Sequence, residues 1–170
     1  MINLAKIKRY RVLLDREFDH CLIDIINHES VQKMKYYMQH GEISCLRHCL
    51  FVSYLSYRIC KKMKLDYRSA ARGALLHDLF LYDWHLTKPQ EGLHAFVHPT
   101  IALRNALALF DLNDREKDII FNHMWPVTFR LPRYRETFVV LLVDKYCAVM
   151  ECAEVGYQRI LRRLKLRYAC

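Results

Sequence analysis

The chain has little of what turns and linkers require, since only four glycines and four prolines occur among its 170 residues. This scarcity argues against disordered and collagen-like classes, and against a β architecture with many tight turns. Long apolar runs are also missing: the longest, 138–143, ends at Asp144, far short of the roughly 20 residues that cross a bilayer. We therefore expect no membrane insertion and a compact all-α helical bundle, with residues 1–170 forming a single domain.

Two further absences bear on the cellular location. The N-terminal region has no apolar stretch of signal-peptide length, and acidic residues enter it early, at Asp15 and Glu17. The seven cysteines form no CxxC pair, which argues against a disulfide framework and a zinc ribbon. These features predict reduced thiols and a cytoplasmic protein.

Positive charge is in excess, with 27 Lys and Arg against 18 Asp and Glu and a formal net charge of +9. Such a balance attracts polyanions, including nucleotides, nucleic acid and anionic membrane surfaces. Much of the excess lies near the two ends of the chain, where a solvated helix face is the simpler explanation. Charge alone does not choose among these partners.

Apolar residues recur at spacings of three and four, which is typical of amphipathic helices. The pattern predicts one or two helices within residues 1–40 and a mostly buried helix over 45–64. Asp66 is a candidate N-cap for the next helix, whose small residues would let neighbouring helices approach closely. The first helices are expected to buttress the core.

Helix signals continue through the second half of the chain. His98-Pro99 predicts a helix that begins with proline at its first position. Asn113 followed by Glu116 resembles a capping box that opens a helix over 114–123. The remaining predicted helices are 134–152 and a basic amphipathic helix within 155–170.

Ionisable residues interrupt two strongly apolar segments. Asp144 lies within VVLLVDKYCAV, where an ionised carboxylate is costly to bury without a cation or strong hydrogen bonds. His77-Asp78 likewise follows ALL and precedes LF, and imidazole and carboxylate groups suit transition-metal ions. A buried ion pair for Asp144 and a hydrogen-bonded core histidine for His77 are the alternatives. Cys45 and Cys49 could share a metal, but core packing explains them better.

Four segments, in this order, resemble the HD superfamily of metal-dependent phosphohydrolases: LRHCLFVSYLSYRI, AARGALLHDLFLYDW, FVHPTIALRNA and VVLLVDKYCAV. In that family a histidine begins one helix, a His-Asp pair ends the next, and a late helix carries an aspartate before lysine. Subfamilies with two metals add two histidines between the pair and the last aspartate. The resemblance covers roughly 45–152, and its positions are occupied here by His48, His77, Asp78, His98, His123 and Asp144.

The resemblance implies an HD-type helical bundle with one or two divalent or transition-metal ions, namely Fe, Mn, Zn, Co, Ni or Mg. With two ions, Asp78 would bridge them; His48, His77 and Asp144 would complete one, and His98 and His123 would hold the other. The reaction expected is hydrolysis of a phosphoester or phosphoanhydride of a nucleotide or small phosphorylated metabolite by a metal-activated water. The chain lacks the HD-x-G-K form, so cleavage of cyclic dinucleotides is disfavoured.

Further candidates lie around the expected metals, partly in the loop predicted over 82–95. Asp83 and His94 are candidate catalytic acids beside Asp78, and His94 is also an alternative to His98 as a ligand. Phosphate contacts or stacking on the substrate are expected from Lys88, Arg104, Lys145 and Trp125. Solvation of the charged residues and core packing of the tryptophan are the simpler explanations.

Two other functions remain open at the level of sequence. One is a di-iron oxygenase of the HD type, and the other is a non-catalytic domain that binds nucleic acid or a partner. The favoured partner is a small phosphorylated substrate, in the first place a nucleotide. Nucleic acid is not favoured, and a homodimer is left open.

Overall fold

A computed structural model describes residues 15–40, 43–86, 89 and 92–168, with side chains described as far as residue 153. The part of the chain that it describes contains seven α-helices, one 3₁₀ helix and a two-stranded sheet, which confirms the all-α prediction. The α-helices are α1 (Arg16–Leu22), α2 (Glu29–Lys33), α3 (Cys45–Lys62), α4 (Tyr67–Leu76), α5 (His94–Leu109), α6 (Asp114–Asn122) and α7 (Arg135–Tyr168).

Side-chain caps begin the helices that carry the core. The carboxylate of Asp66 accepts a hydrogen bond from the backbone N–H of Ser69 at 3.0 Å, as the N-cap prediction requires. Asn113 and Glu116 form the predicted capping box, in which each side chain accepts from the other residue's backbone N–H. These bonds satisfy donors that the first turn of a helix leaves unpaired.

The core lies where α4 packs between α3 and α6, with α7 also packed against α3. Helix α4 presents small buried residues, including Ala70, Ala71 and Ala74, so its neighbours approach closely. At Gly73 an added Cβ would lie 2.9 Å from Cβ of Ile119 in α6. Close packing of these helices fixes the spacing between the residues at their ends.

A short hairpin replaces helix at the end of the predicted N-terminal helical region. Strands β1 (Met38–His40) and β2 (Ile43–Ser44) pair antiparallel after the 3₁₀ helix Met34–Tyr36. Strands of three and two residues are too short to display an alternating pattern, so the sequence gives no signal for them. The first fourteen residues of the predicted helical region lie outside the described residues.

Two helix boundaries were wrongly predicted. Helix α5 begins at His94, so Pro99 lies inside it rather than at its first position. Proline there removes one early hydrogen bond, which the rest of a 16-residue helix outweighs. The helices predicted over 134–152 and within 155–170 are parts of the single helix α7. Gly156 lies between them, but the intrinsic cost of one glycine in a helix, about 1 kcal/mol, does not end a long helix.

Within the described residues, no helix combines the length and apolar character that crossing a membrane demands.

Candidate metal centre

The six predicted ligands come from five helices and meet on one side of the core. All are buried except Asp144, whose side chain is 13% exposed. Their places are the first turn of α3 (His48), the C-cap of α4 and the following residue (His77 and Asp78), the second turn of α5 (His98), the C-cap of α6 (His123) and the middle of α7 (Asp144).

The first subsite consists of His48, His77, Asp144 and one oxygen of Asp78. Nε2 of His48 lies 3.0 Å from Oδ1 of Asp144. Nε2 of His77 lies 3.6 Å from the same oxygen and 3.3 Å from Oδ2 of Asp78. Two imidazole nitrogens and two carboxylate oxygens therefore converge on one point.

The second subsite consists of His98, His123 and the other oxygen of Asp78. Oδ1 of Asp78 lies 3.3 Å from Nε2 of His98 and 3.7 Å from Nε2 of His123. The two imidazole nitrogens are themselves 2.9 Å apart. Asp78 is thus shared, with each of its oxygens facing a different subsite.

Hydrogen bonds to the protein backbone fix the orientation of three of the four rings. In each of these rings, Nδ1 lies within 2.9 Å of a backbone carbonyl oxygen of the same helix. A carbonyl oxygen can only accept a hydrogen bond, so Nδ1 carries the proton. Nε2 of the neutral ring then has a free lone pair for a metal ion. The pairs are His77 with Ala74, His98 with His94, and His123 with Ile120.

In the second subsite this arrangement sets two acceptors against each other with no donor between them. The facing Nε2 atoms of His98 and His123 present two lone pairs to each other unless one ring gains a second proton, so positive charge is required at this point. Nε2 of His77 and Oδ1 of Asp78 are buried and have no hydrogen-bond partner. Buried polar atoms without partners are costly, and a cation coordinated by all of them would satisfy the group. The residues fit a metal ion.

Electrostatics within the cluster favour charged carboxylates. Burial would raise the pKa of Asp78, but the neighbouring imidazoles outweigh it and hold that pKa well below its usual range. Burial would also raise the pKa of Asp144, but the neighbouring imidazoles lower it. Burial would lower the pKa of His77, but the neighbouring carboxylates raise it. Burial of His48 favours its neutral form, yet the carboxylates beside it raise its pKa to about 10. Burial, together with charge on the neighbouring rings, lowers the pKa of His123 to about 3.

Two residues that sequence reasoning missed contact this cluster. Oε2 of Glu151 lies 2.9 Å from Nδ1 of His48, on the side of the ring opposite Asp144. The amide of Gln39, in β1, donates to Oδ2 of Asp78 at 2.6 Å. Glu151 follows Asp144 by seven residues, a spacing that places both on one helix face and could have revealed it. Gln39 had no comparable signal, because its strand was not predicted.

The two cysteines that were considered as ligands do lie beside the cluster. Cys45, Cys49 and Asp78 bring potential ligand atoms within 4.8 Å of one another, and the Cys45 thiol donates to the backbone oxygen of Asp78 at 3.4 Å. Burial raises the pKa of both thiols, that of Cys49 well above its usual value. Because the thiolate is the form that binds metals, this burial favours neutral packing thiols.

His94 stands next to the second subsite rather than in it. Its ring stacks on His98 with 4.6 Å between centroids, and on Trp84 with 4.9 Å. Nδ1 of His94 lies 2.7 Å from the hydroxyl oxygen of Tyr82, and burial lowers its pKa to about 4. The described groups able to hold an ion contain His98 and not His94, which favours His98 as the ligand.

Three other residues were predicted as catalytic or substrate-binding in the loop and in α5. Asp83 turns back on its own loop and accepts from the backbone N–H of His85 at 2.9 Å. Arg104 lies on the exposed side of α5. Lys88 lies outside the described residues, so its predicted contact with substrate is untested.

Lys145 contacts the backbone of a ligand residue, and Trp125 packs against α7. Nζ of Lys145 is half-buried and donates to the backbone oxygen of His123 at 3.3 Å, while burial lowers its pKa. The Trp125 ring meets Phe138 of α7 edge-on, with 6.2 Å between centroids. That contact agrees with the packing alternative for the tryptophan.

A scan against protein-family models, a search of curated proteins and a search of solved structures each found no match to this chain. The geometry of its own residues is therefore the basis for any functional conclusion.

Proposed function

We propose that the chain is a metal-dependent phosphohydrolase of the HD type, which cleaves a phosphoester or phosphoanhydride bond of a nucleotide or another small phosphorylated metabolite. The observation that carries the proposal is the position of Asp78. Its two oxygens face separate sets of imidazoles, as a carboxylate that bridges two ions must do.

The donor set favours transition-metal ions. Four imidazoles and two carboxylates suit Fe, Mn, Zn, Co or Ni, whereas Mg²⁺ prefers oxygen ligands and retains several waters. Ions held by these residues would supply Lewis acidity towards a phosphoryl group and lower the pKa of a water molecule. No protein nucleophile is then needed.

The chain's own residues prepare the site in three ways. The backbone bonds to Nδ1 hold the rings of His77, His98 and His123 with Nε2 facing inward. Burial of the cluster excludes bulk water, and Asp144 is the most exposed of the six residues. Lys145 brings a cation next to the second subsite, which suits an anionic substrate.

The test compares metal content and phosphate release for wild type and Asp78→Asn. The purified chain is stripped with a chelator, reloaded separately with Mn²⁺, Fe²⁺, Co²⁺ or Zn²⁺, and assayed on nucleoside phosphates, dinucleoside polyphosphates and a generic phosphodiester. We expect close to two ions per chain and turnover that requires metal. Asp78→Asn keeps the side-chain volume but has one oxygen, so it should lose the second ion and the turnover. Asp114→Asn, at an exposed aspartate, is the matched control.

Three outcomes would contradict the proposal. A folded wild-type chain that binds no ion under any loading would favour a non-catalytic binding domain. Oxygen consumption by the iron-loaded chain without phosphate release would favour an oxygenase. Turnover that survives in Asp78→Asn would show that the bridging carboxylate is not part of the reaction.

A further inference from the structure

Helix α7 contacts the ring of His48 from both sides. Asp144 and Glu151 lie two helical turns apart on one face of α7. Asp144 lies 3.0 Å from Nε2 of the ring and Glu151 lies 2.9 Å from Nδ1. Glu151 is only 9% exposed, so this contact is within the core rather than on the surface.

His48 differs in this respect from the other three rings of the cluster. Those rings direct Nδ1 to a neutral carbonyl of their own helix, whereas Nδ1 of His48 faces the carboxylate of Glu151. A carboxylate behind a ligating histidine fixes the tautomer and makes Nε2 a stronger donor to a metal. A backbone carbonyl orients the ring but adds no negative charge.

The two subsites consequently differ in charge as well as in ligand number. The first has carboxylates from Asp144 and Asp78 in contact with its imidazoles, and Glu151 behind them. The second has only the shared Asp78 with its two imidazoles. Attraction of a divalent cation grows with nearby negative charge, most strongly at a buried position.

We propose that Glu151 is a positioning residue that makes the first subsite the tighter of the two, so that an ion fills the first subsite before the second. The inference rests on the proposed metal-binding function and extends it to the order of loading. It predicts a chain with one firmly held ion and one ion that exchanges more readily.

The alternative is that Glu151 only ties α7 to α3 through an ion pair with His48. In that case its removal would lower stability and disturb both subsites alike. Loss of affinity at one subsite alone is the result that separates the two roles.

Titration of the metal-free full chain with Co²⁺, followed by calorimetry and by visible absorption of the bound ion, tests the proposal. Wild type should bind in a tight step and then a weaker step, with His48→Ala abolishing the first and His98→Ala the second. Glu151→Ala should weaken the tight step about 10- to 100-fold and leave the weaker step unchanged. Glu151→Gln keeps an acceptor for Nδ1 without the charge. The affinity of its tight step should therefore lie between those of wild type and Glu151→Ala, which is a partial rescue.

Glu136→Gln is the matched control, because Glu136 is a buried carboxylate of the same helix that accepts from the backbone N–H of Asp66 at 3.0 Å. It should lower stability without changing either step. Unchanged tight binding in both Glu151 variants, or equal weakening of both steps, would overturn the inference while leaving the proposed function intact. Absence of Co²⁺ binding by the wild-type chain would instead overturn the proposed function, and this inference with it.

Discussion

Asp118 of α6 connects two parts of the frame that carries the cluster, and its removal should be among the most destabilising changes outside the site. Its carboxylate is 6% exposed and accepts from four groups. Two are backbone N–H groups just before α7, one is a buried hydroxyl in the first turn of α7, and one is a side-chain amide: those of Arg133, Tyr134, Thr137 and Asn122. The end of α6, which precedes His123, is thereby tied to the start of α7.

The size of the effect follows from these bonds. A hydrogen bond to a charged group contributes about 1.5–3 kcal/mol, and a buried donor left unpaired costs about 1–3 kcal/mol. Some of the four donors would find water or another acceptor in Asp118→Ala, so we expect a loss equal to about two such bonds, roughly 3–5 kcal/mol. The loss is large against the roughly 5–15 kcal/mol that stabilises a typical domain.

Urea unfolding of the metal-free chain measures this loss directly. With a slope of about 2 kcal/mol per molar urea, a loss of 4 kcal/mol lowers the midpoint by about 2 M. Asp118→Asn keeps one acceptor oxygen and should fall between wild type and alanine. Asp114→Ala removes an exposed carboxylate paired with Lys117 at 3.3 Å and should cost about 0.5 kcal/mol or less. A loss below about 1 kcal/mol for Asp118→Ala, at unchanged slope, would refute the reasoning.

Three further predictions concern metal, packing and capping. An added ion at 100 times its dissociation constant should stabilise the stripped chain by about 2.7 kcal/mol, seen as a rise of about 5–10 °C in a thermal-shift assay that a chelator reverses; an unchanged melting temperature would count against an ion in the core. Gly73→Ala should cost about 1–3 kcal/mol in urea unfolding because its Cβ would meet Ile119 at 2.9 Å, and the same change should cost less in an Ile119→Ala background, which lacks two of the three clashing atoms. Asn113→Ala should cost about 0.5–2 kcal/mol by the same measurement, with Asn113→Asp as the variant expected to retain the cap.

Local chemistry explains why much of the helical frame could be predicted. Asp66 and the pair Asn113 and Glu116 mark their helices through bonds between residues three apart, which a sequence displays directly. Pro99 did not mark the first residue of its helix, which begins at His94. A helix of 16 residues tolerates a proline near its start because only one of its many backbone hydrogen bonds is lost. The hairpin depends on packing between distant segments, which leaves no periodic trace in the sequence. The unbroken α7 was missed because one glycine was given more weight than its cost warrants.

The cluster shows the same division. The order of His48, His77-Asp78 and the later ligands was predicted from motif resemblance, and the structure brings those residues together; their binding of metal stays a prediction. Glu151 could have been found from its seven-residue spacing to Asp144, since the two share a face of one helix.

The orientation of the rings is the strongest reason to treat the cluster as more than a buried ion network. In a network built for stability alone each imidazole has a partner, and removing one partner lowers stability because the group it leaves behind is buried and unpaired. Here each of the four rings has an acceptor at Nδ1 and turns Nε2 towards Asp78 or Asp144. The Nε2 atoms of His98 and His123 then face each other at 2.9 Å. Such an arrangement is unfavourable among neutral rings and becomes favourable once a cation takes their lone pairs. His98→Leu should therefore raise the urea midpoint of the metal-free chain while it weakens ion binding, whereas a purely structural network would lose stability on the same substitution.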